Sequence, residues 1–420
     1  MNTTTTHRNS QHPKSIQKWL NWYAFFLAFP VVEVLGLSIT FYIFVFIFFL
    51  HNSYGIPFIH KNKSNVVFWL FLFAAVISTI FHPPLIEPIG PFGSARNVIQ
   101  IAYWLVLALY IKTNYRYIDW VQFSKYTFWG LVLLEIVFYA KLGRFSLIFG
   151  NIDLHPSRNS VVFNTLTFFP FIFWYLRNSI MKRITWLIII FFVASMLFSN
   201  GRAGFVLILV QTLLIGPAVF KSLSGLFRLS IVFSIFLVSM WFFLEDSPMM
   251  KDIAQVVESV NPRAAELINK SGTSGDLSMD KSWLLRKLMV DKSIEIVNEN
   301  PFFGIGWFNF SNYGSDLNSL NQFERLSGNS DQFYNTRSAH NSYAQLLAEG
   351  GIIGLLLLLI ILFPTVKIII SKILTGGFKL EHLPLIAMFT LIIYFYVISS
   401  LTGAGTWLII GASYAFANKH

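Results

Sequence analysis

The sequence predicts an all-α polytopic integral membrane protein of about twelve transmembrane helices, with one large extracytoplasmic helical loop. Three observations predict it. Hydrophobic residues make up 55% of the chain and charged residues only 12%, with a mean hydropathy of +0.59, against about 25% charged in a soluble domain. Apolar stretches approaching the roughly 20 residues that cross a bilayer recur along its length. The basic residues between those stretches fall mainly in alternate connections, as membrane topology requires.

In order, the spans are expected near Leu20–Gly36, Leu37–Leu50, Val66–Ile80, Val98–Ile111, Tyr126–Ala140, Val161–Leu176, Ile184–Phe198, Ala203–Phe220, Leu229–Leu244, Tyr343–Val366, Leu383–Ser400 and Thr402–Phe416. This divides the chain into an N-terminal transmembrane part (1–244), a large periplasmic loop with helices (245–339) and a C-terminal transmembrane part (340–420). The second span is short, and the last two have the length of a re-entrant hairpin as well as of two spans. Met1 to Ser15 is polar and basic, and Pro30 and Glu33 stand where a cleavage site needs small residues. The first helix is therefore expected to be retained.

With a cytoplasmic N-terminus, Arg8, Lys14, Lys18, Lys61, Lys63, Lys112, Arg116, Lys125, Arg177, Lys182, Arg183, Lys221, Arg228, Lys367, Lys372, Lys379 and Lys419 fall inside. The short outer loops hold only Arg96, Lys141, Arg144, Arg158 and Arg202. The positive-inside rule then places the long segment from Glu245 to Ala339 outside. The net charge of +11 reflects basic cytoplasmic loops facing anionic lipid and gives no reason to expect nucleic acid. Cysteine is absent, so neither disulfides nor thiolate metal sites arise.

The outer segment has its own helical signals. Pro262-Arg263-Ala264-Ala265-Glu266-Leu267-Ile268 opens with proline, and Ser271-Gly272-Thr273-Ser274-Gly275 is flexible in composition. Ser282 to Glu299 reads as a helix stopped by Pro301. At 100° per residue, Lys287, Asp291 and Glu295 share a solvated face, while Leu285, Met289 and Ile296 form one apolar stripe and Trp283, Val290, Ile294 and Val297 another. Arg286 falls between the stripes beside Ser293, which predicts partial burial.

Three residues stand out for chemistry. His340, in Ser338-Ala339-His340-Asn341-Ser342-Tyr343, is expected about one turn into a membrane helix at the outer boundary. Ala344, Leu347, Gly351 and Gly354 continue its face, so small residues would let a second helix pack close. A lone histidine there reads either as a satisfied core residue or as a base. An imidazole with an ordinary pKa of about 6.5 is mostly neutral near neutral pH and accepts a proton. Glu349 lies on the opposite face, to snorkel or to pair with another helix.

Arg202, in Ser199-Asn200-Gly201-Arg202-Ala203-Gly204, opens a membrane helix on the outer side. A cation there opposes both the positive-inside bias and the helix dipole. It reads as a snorkelling side chain or as part of an anion site. Arg286 reads as a structural ion pair, for instance with Glu245 or Asp280, or as a second anion ligand. No Asp-x-Asp pair, phosphate loop or Ser-His-Asp spacing is present, so a metal-held diphosphate has no evident ligands and arginines would have to replace them.

These residues carry a resemblance. His340-Asn341, nine residues, Gly351, two residues and Gly354 resembles the His-Asn-x9-Gly-x-x-Gly signature of the O-antigen ligase and polymerase superfamily. Asn200-Gly201-Arg202-Ala203-Gly204 resembles its outer Gly-Arg helix start. Arg286 followed by Asn300-Pro301-Phe302-Phe303-Gly304-Ile305-Gly306-Trp307 is similar to its large loop, where an arginine-bearing helix precedes an Asn-Pro-x-x-Gly-x-Gly turn.

The resemblance implies a GT-C-like, metal-independent inverting glycosyltransferase in the bacterial inner membrane, with its active site facing the periplasm and no cofactor. The implied donor is a glycan on undecaprenyl diphosphate and the acceptor a sugar hydroxyl, glycan-borne or lipid-linked, in O-antigen or other surface-polysaccharide assembly. His340 would deprotonate the acceptor. Arg202 and Arg286 would hold and stabilise the leaving diphosphate. Arg158, Arg337, Asn341 and Tyr343 would contact substrate, and Trp307, like Trp283, Tyr313 and Tyr334, would stack on sugar or pack at the interface. A chain-length regulator or other assembly proteins are implied partners. Polymerase and ligase are not separated. A protein-glycosylating branch is disfavoured by the short tail after the last span. The alternative of another class is a lipid-linked sugar transporter, for which Glu33 and Glu135 are the intramembrane candidates.

Overall fold

The computed structural model describes residues 14–55, 59, 62–84, 95–140, 144–147, 150–153, 156–198, 202–219, 281–313, 339–375, 378–396, 399–401, 403–418. The expected span at Leu229–Leu244, the Pro262–Ile268 helix and the Ser271–Gly275 stretch lie outside the described residues.

Helices dominate. In chain order they are α1 (Lys14–Leu27), α2 (Ile39–Ser53), α3 (Val66–Phe81), α4 (Ala95–Asn114), α5 (Trp120–Tyr139), α6 (Arg158–Phe168), α7 (Ile172–Asn178), α8 (Thr185–Phe198), α9 (Arg202–Val219), α10 (Lys281–Glu299), α11 (Ser342–Thr375), α12 (Leu383–Tyr394) and α13 (Ala404–Ala417). Two short antiparallel hairpins accompany them: β1 (Glu33–Val34) with β2 (Leu37–Ser38), and β3 (Arg144–Leu147) with β4 (Gly150–Asp153).

Two boundaries differ from expectation for local reasons. The first helix ends at Leu27, not Gly36. The chain past Pro30 turns back through Leu35 (φ 52) and Gly36 (φ 74), two left-handed positions in a row, which is the turn that matches strand twist in a two-residue hairpin. The expected span Val161–Leu176 is broken at Phe169–Phe171, a tighter turn containing Pro170, because proline supplies no backbone donor.

Lys63–Phe81, Trp120–Tyr139 and Ser342–Thr375 are long and apolar enough to cross a membrane, and shorter apolar helices accompany them. The exterior is apolar. On α11, Leu356, Ile360 and Phe363 are exposed while Leu358, Ile361 and Leu362 are buried. One helix face thus packs inward and the other suits lipid.

Polar contacts sort the helix ends into two groups. At one end, Lys112 near the close of α4 reaches Ser64 and Asn65 before α3 and lies 4.7 Å from the ring of Tyr414 near the close of α13. Asn21 of α1 meets Gln122 of α5 at the same end (3.1 Å). At the other end gather the close of α3, the close of α12 and the starts of α6, α9, α11 and α13. Close packing joins these elements: Gly411 on α13 faces Ala108 of α4, where a Cβ would stand 2.4 Å from the Ala108 carbonyl oxygen. Glu135, fully buried in α5, accepts from Thr165 (2.9 Å) and Ser195 (2.5 Å), tying α5 to α6 and α8. Glu33 sits on the exposed hairpin.

Candidate active site

His340 does not lie in a helix. α11 starts at Ser342, and Asn341 caps it: the Asn341 carboxamide oxygen accepts from Tyr343 N and Ala344 N, both at 3.0 Å. The expected position one turn into the helix is therefore corrected, together with the face it would have shared with Leu347 and Gly354. Asn, one of the strongest capping residues, was the overlooked signal. His340 takes a left-handed conformation (φ 49), uncommon outside glycine. Its neighbours hold it there. Ala339 is fully buried, Asn341 is committed to the cap, and Ser342 N donates to Phe395 O at the close of α12 (2.7 Å). Ser342 Oγ accepts from Ser400 N (2.9 Å), and Tyr343 donates its hydroxyl to Ile392 O (3.0 Å). The imidazole, half-buried, is thus mounted on a pinned turn at one end of the bundle.

Below this turn α11 breaks. Gly351 adopts φ 65 and ψ −171 inside it. The turn Pro301 to Gly306 docks into the break as though it were a sheet edge: Ile305 N donates to Ala348 O (2.9 Å), Gly306 N to Glu349 O (3.1 Å), Ile352 N to Pro301 O (2.9 Å) and Ile353 N to Phe302 O (3.3 Å). Ser78 Oγ of α3 lies 2.6 Å from Phe303 O and 2.8 Å from Glu349 O. A Cβ on Gly304 would stand 2.3 Å from Ala348 O, and one on Gly351 2.2 Å from Phe302 O. Gly351 was expected to admit a second helix; it admits the backbone of the loop instead.

The docked turn sets the place of α10. Its Leu288, Met289 and Ile296 form one small core with Ala339, Ala344 and Ala348 around the start of α11. Arg286 is on α10 one turn before Met289. Counting 1.5 Å of rise per residue, Arg286 is about 22 Å of chain before Pro301 and His340 about 16 Å before Gly351, on two helices packed together. Of the two expected stripes on α10, the one with Met289 and Ile296 is buried, whereas Ile294 is 50% exposed among the described residues.

Two more arginines open helices that lie side by side. Ser157 caps α6, accepting from Ser160 N at 3.2 Å, and Arg158 is its first residue, half-buried. Arg202 is the first residue of α9. A Cβ on Gly204 would stand 2.4 Å from Val162 Cγ1, and Gln211 Nε2 of α9 donates to Leu166 O of α6 (2.7 Å). The helices therefore run parallel, and both arginines begin at the end of the bundle where His340 lies. Arg337 and Tyr334 lie outside the described residues.

Trp307 is 3% exposed and packs edge-on to Phe71 at 5.8 Å, in keeping with the packing alternative. Two further findings were not foreseen. Glu349, expected to snorkel or pair with another helix, is buried and binds the loop: its carboxylate accepts from Phe310 N (3.3 Å) and Gln345 Nε2 (3.1 Å). Lys292 is fully buried in α10, donating to Phe310 O (2.7 Å) with its ammonium 4.7 Å from the Phe310 ring. Burial pushes the Lys292 ammonium down to about 7. Its spacing of three from Met289 and four from Ile296 was the available signal.

Residues 187–359 match the family model described as O-antigen ligase. The matched stretch begins in α8 and ends in α11, so it takes in Arg202, Arg286, the Gly304–Gly306 turn, His340 and Gly351. Among curated proteins, none matches the chain.

Proposed function

We propose that this membrane protein, whose residues 187–359 match the O-antigen ligase family model, transfers a glycan from undecaprenyl diphosphate to a sugar hydroxyl in surface-polysaccharide assembly, as ligase or polymerase. The observation that carries the reading is the common placement of the His340 turn, the α10 helix bearing Arg286 and the paired helix starts at Arg158 and Arg202. On this reading that end faces the periplasm from the inner membrane, and about twelve spans frame it.

His340 accepts the proton of the acceptor hydroxyl as that oxygen attacks the anomeric carbon. The bond to the diphosphate breaks on the opposite face, inverting the centre. Arg286 and Arg202 take up the charge that develops on the leaving oxygen, with Arg158 and Arg337 as further anion ligands. Guanidinium groups fill the role of a metal, so transfer persists in excess chelator. Asn341 and Tyr343 act through the backbone they hold.

The test is donor binding and single-turnover transfer measured side by side on membrane-inserted variants. His340→Ala is expected to lower turnover by about two to four orders of magnitude with little loss of undecaprenyl-diphosphate binding. Arg286→Ala weakens both. A well-folded His340→Ala protein that transfers at the native rate refutes the base assignment.

A further inference from the structure

We propose that the cleft enclosed by the β1–β2 hairpin and the adjoining ends of α1, α2, α4, α6 and α13 is a binding site for one sugar ring, and that this ring belongs to the acceptor. The second half of the proposal rests on the transferase reading; the first does not.

The cleft has a volume of about 150 Å³, room for on the order of ten water molecules and in keeping with a single ring. Its walls alternate two kinds of group. Phe41, Trp104 and Phe163 offer aromatic surface, while Glu33, Gln100 and Asn164 offer a carboxylate and two carboxamides. A sugar ring presents the matching pattern, with apolar C–H faces and a rim of hydroxyls that both donate and accept. A lipid tail has no use for the three polar groups, and a diphosphate would meet the Glu33 carboxylate.

A chain of hydroxyls backs the wall. Tyr23 and Tyr103 are 2.7 Å apart, Tyr103 donates to Thr40 (3.1 Å), and Thr40 meets Ser38 (2.8 Å). Tyr103, Thr40 and Ser38 line the cleft. Hydroxyl protons rotate, so such a chain adapts to a bound hydroxyl as donor or acceptor.

The position ties the cleft to the His340 turn. Gly403, in its wall, donates to Ser400 O (3.2 Å), and Ser400 N donates to Ser342 Oγ (2.9 Å), two residues after the histidine. Trp104 also meets Phe308 of the docked loop, ring centroids 6.0 Å apart.

The experiment uses the full-length protein in nanodiscs and two probes. The first is a panel of free glucose, galactose, mannose, rhamnose and N-acetylglucosamine, read by saturation-transfer NMR. At least one sugar is expected to bind, with Glu33→Gln weakening it by about tenfold or more, the worth of a charge-assisted hydrogen bond, and Gln100→Ala by about threefold to tenfold, the worth of a neutral one. Phe73→Ala, on the exposed face of α3, serves as control and leaves it unchanged. Glu33→Gln is isosteric on an exposed hairpin, so folding is not at stake. No binding by any panel sugar, or binding equal in both cleft variants and native protein, overturns the site. The second probe is undecaprenyl diphosphate, whose affinity is expected to be unchanged in the cleft variants. Weakened binding there assigns the cleft to the donor and overturns the acceptor half. Native protein that ignores undecaprenyl diphosphate but binds a panel sugar defeats the transferase reading and leaves the sugar site standing.

Discussion

Replacing Gly304 by alanine tests whether the loop is held by contact with the broken helix or only by chain geometry. Gly304 has φ 65, and its Cβ would stand 2.3 Å from Ala348 O and 2.6 Å from the Glu349 carbonyl carbon. The left-handed conformation alone costs an alanine about 1–2 kcal/mol. The contact cannot be relieved by a rotamer change, because the atoms met are backbone. The turn must withdraw, and the hydrogen bonds from Ile305 N and Gly306 N to α11 go with it, at about 1 kcal/mol each. The expected total is about 3–4 kcal/mol. Gly55 supplies the control: it has φ 63, and a Cβ there meets nothing within 4 Å. Gly55→Ala therefore carries the strain without the contact. Thermal unfolding of both variants in the same detergent, with glycan transfer measured in membranes, should show Gly304→Ala losing markedly more stability and most transfer. Equal losses in the two variants would refute the docking argument.

Other outcomes follow from the same geometry. Asn341→Ala removes the cap from α11 at a cost of about 0.5–2 kcal/mol and should lower transfer with it, whereas Asn341→Asp, which keeps the accepting oxygen, should restore both; if Asp is as poor as Ala, the carboxamide N–H touches substrate and the cap is not its main task. Lys292, at about 7 in the folded protein against 10.5 as its ordinary value, binds fewer protons folded than unfolded between those limits, so stability should rise as pH increases from 7 towards 10.5, and the full burial penalty applies below 7. Lys292→Met should flatten that dependence in unfolding scans at pH 7 and 9; an unchanged slope would exclude the lysine as its source.

Much of the fold was legible because lipid-facing helices write their pattern in composition. The apolar runs located α3, α8, α9 and α11 to within a few residues at their starts, and Pro301 correctly stopped α10. What was not legible came from tertiary contact. Gly351 looks the same in sequence whether it admits a helix or a loop; only the main-chain bonds to Pro301, Phe302 and Ile305 distinguish the two. Lys292 shares its side of α10 with Met289 and Ile296, but a lysine beside Asp291 resembles a solvated face, and its carbonyl acceptor at Phe310 lies beyond a turn. The apolar run set the start of α11 at Tyr343, but His340 was placed inside the helix because the capping role of Asn341 was not read. The cleft beside the hairpin draws on five separate helices, and no local pattern in any of them announces it.

Several signature residues build the frame around the His340 turn. Asn341 fixes where α11 begins and Gly351 where it breaks, with nine residues between them, about 14 Å of helix. That length is a vertical ruler. The loop turn docks at its lower end through Gly304 and Gly306, and the same loop continues back into α10, whose Met289 and Ile296 pack beside Ala344 and Ala348. The height and azimuth of α10 relative to the His340 turn are therefore set by the ruler, not by any direct contact between histidine and arginine. One residue more or fewer would rotate the break by about 100° about the helix axis and carry the loop, and α10 with it, away from Ala344 and Ala348. A glycine eleven residues downstream thus sets the frame around the His340 turn without being part of it.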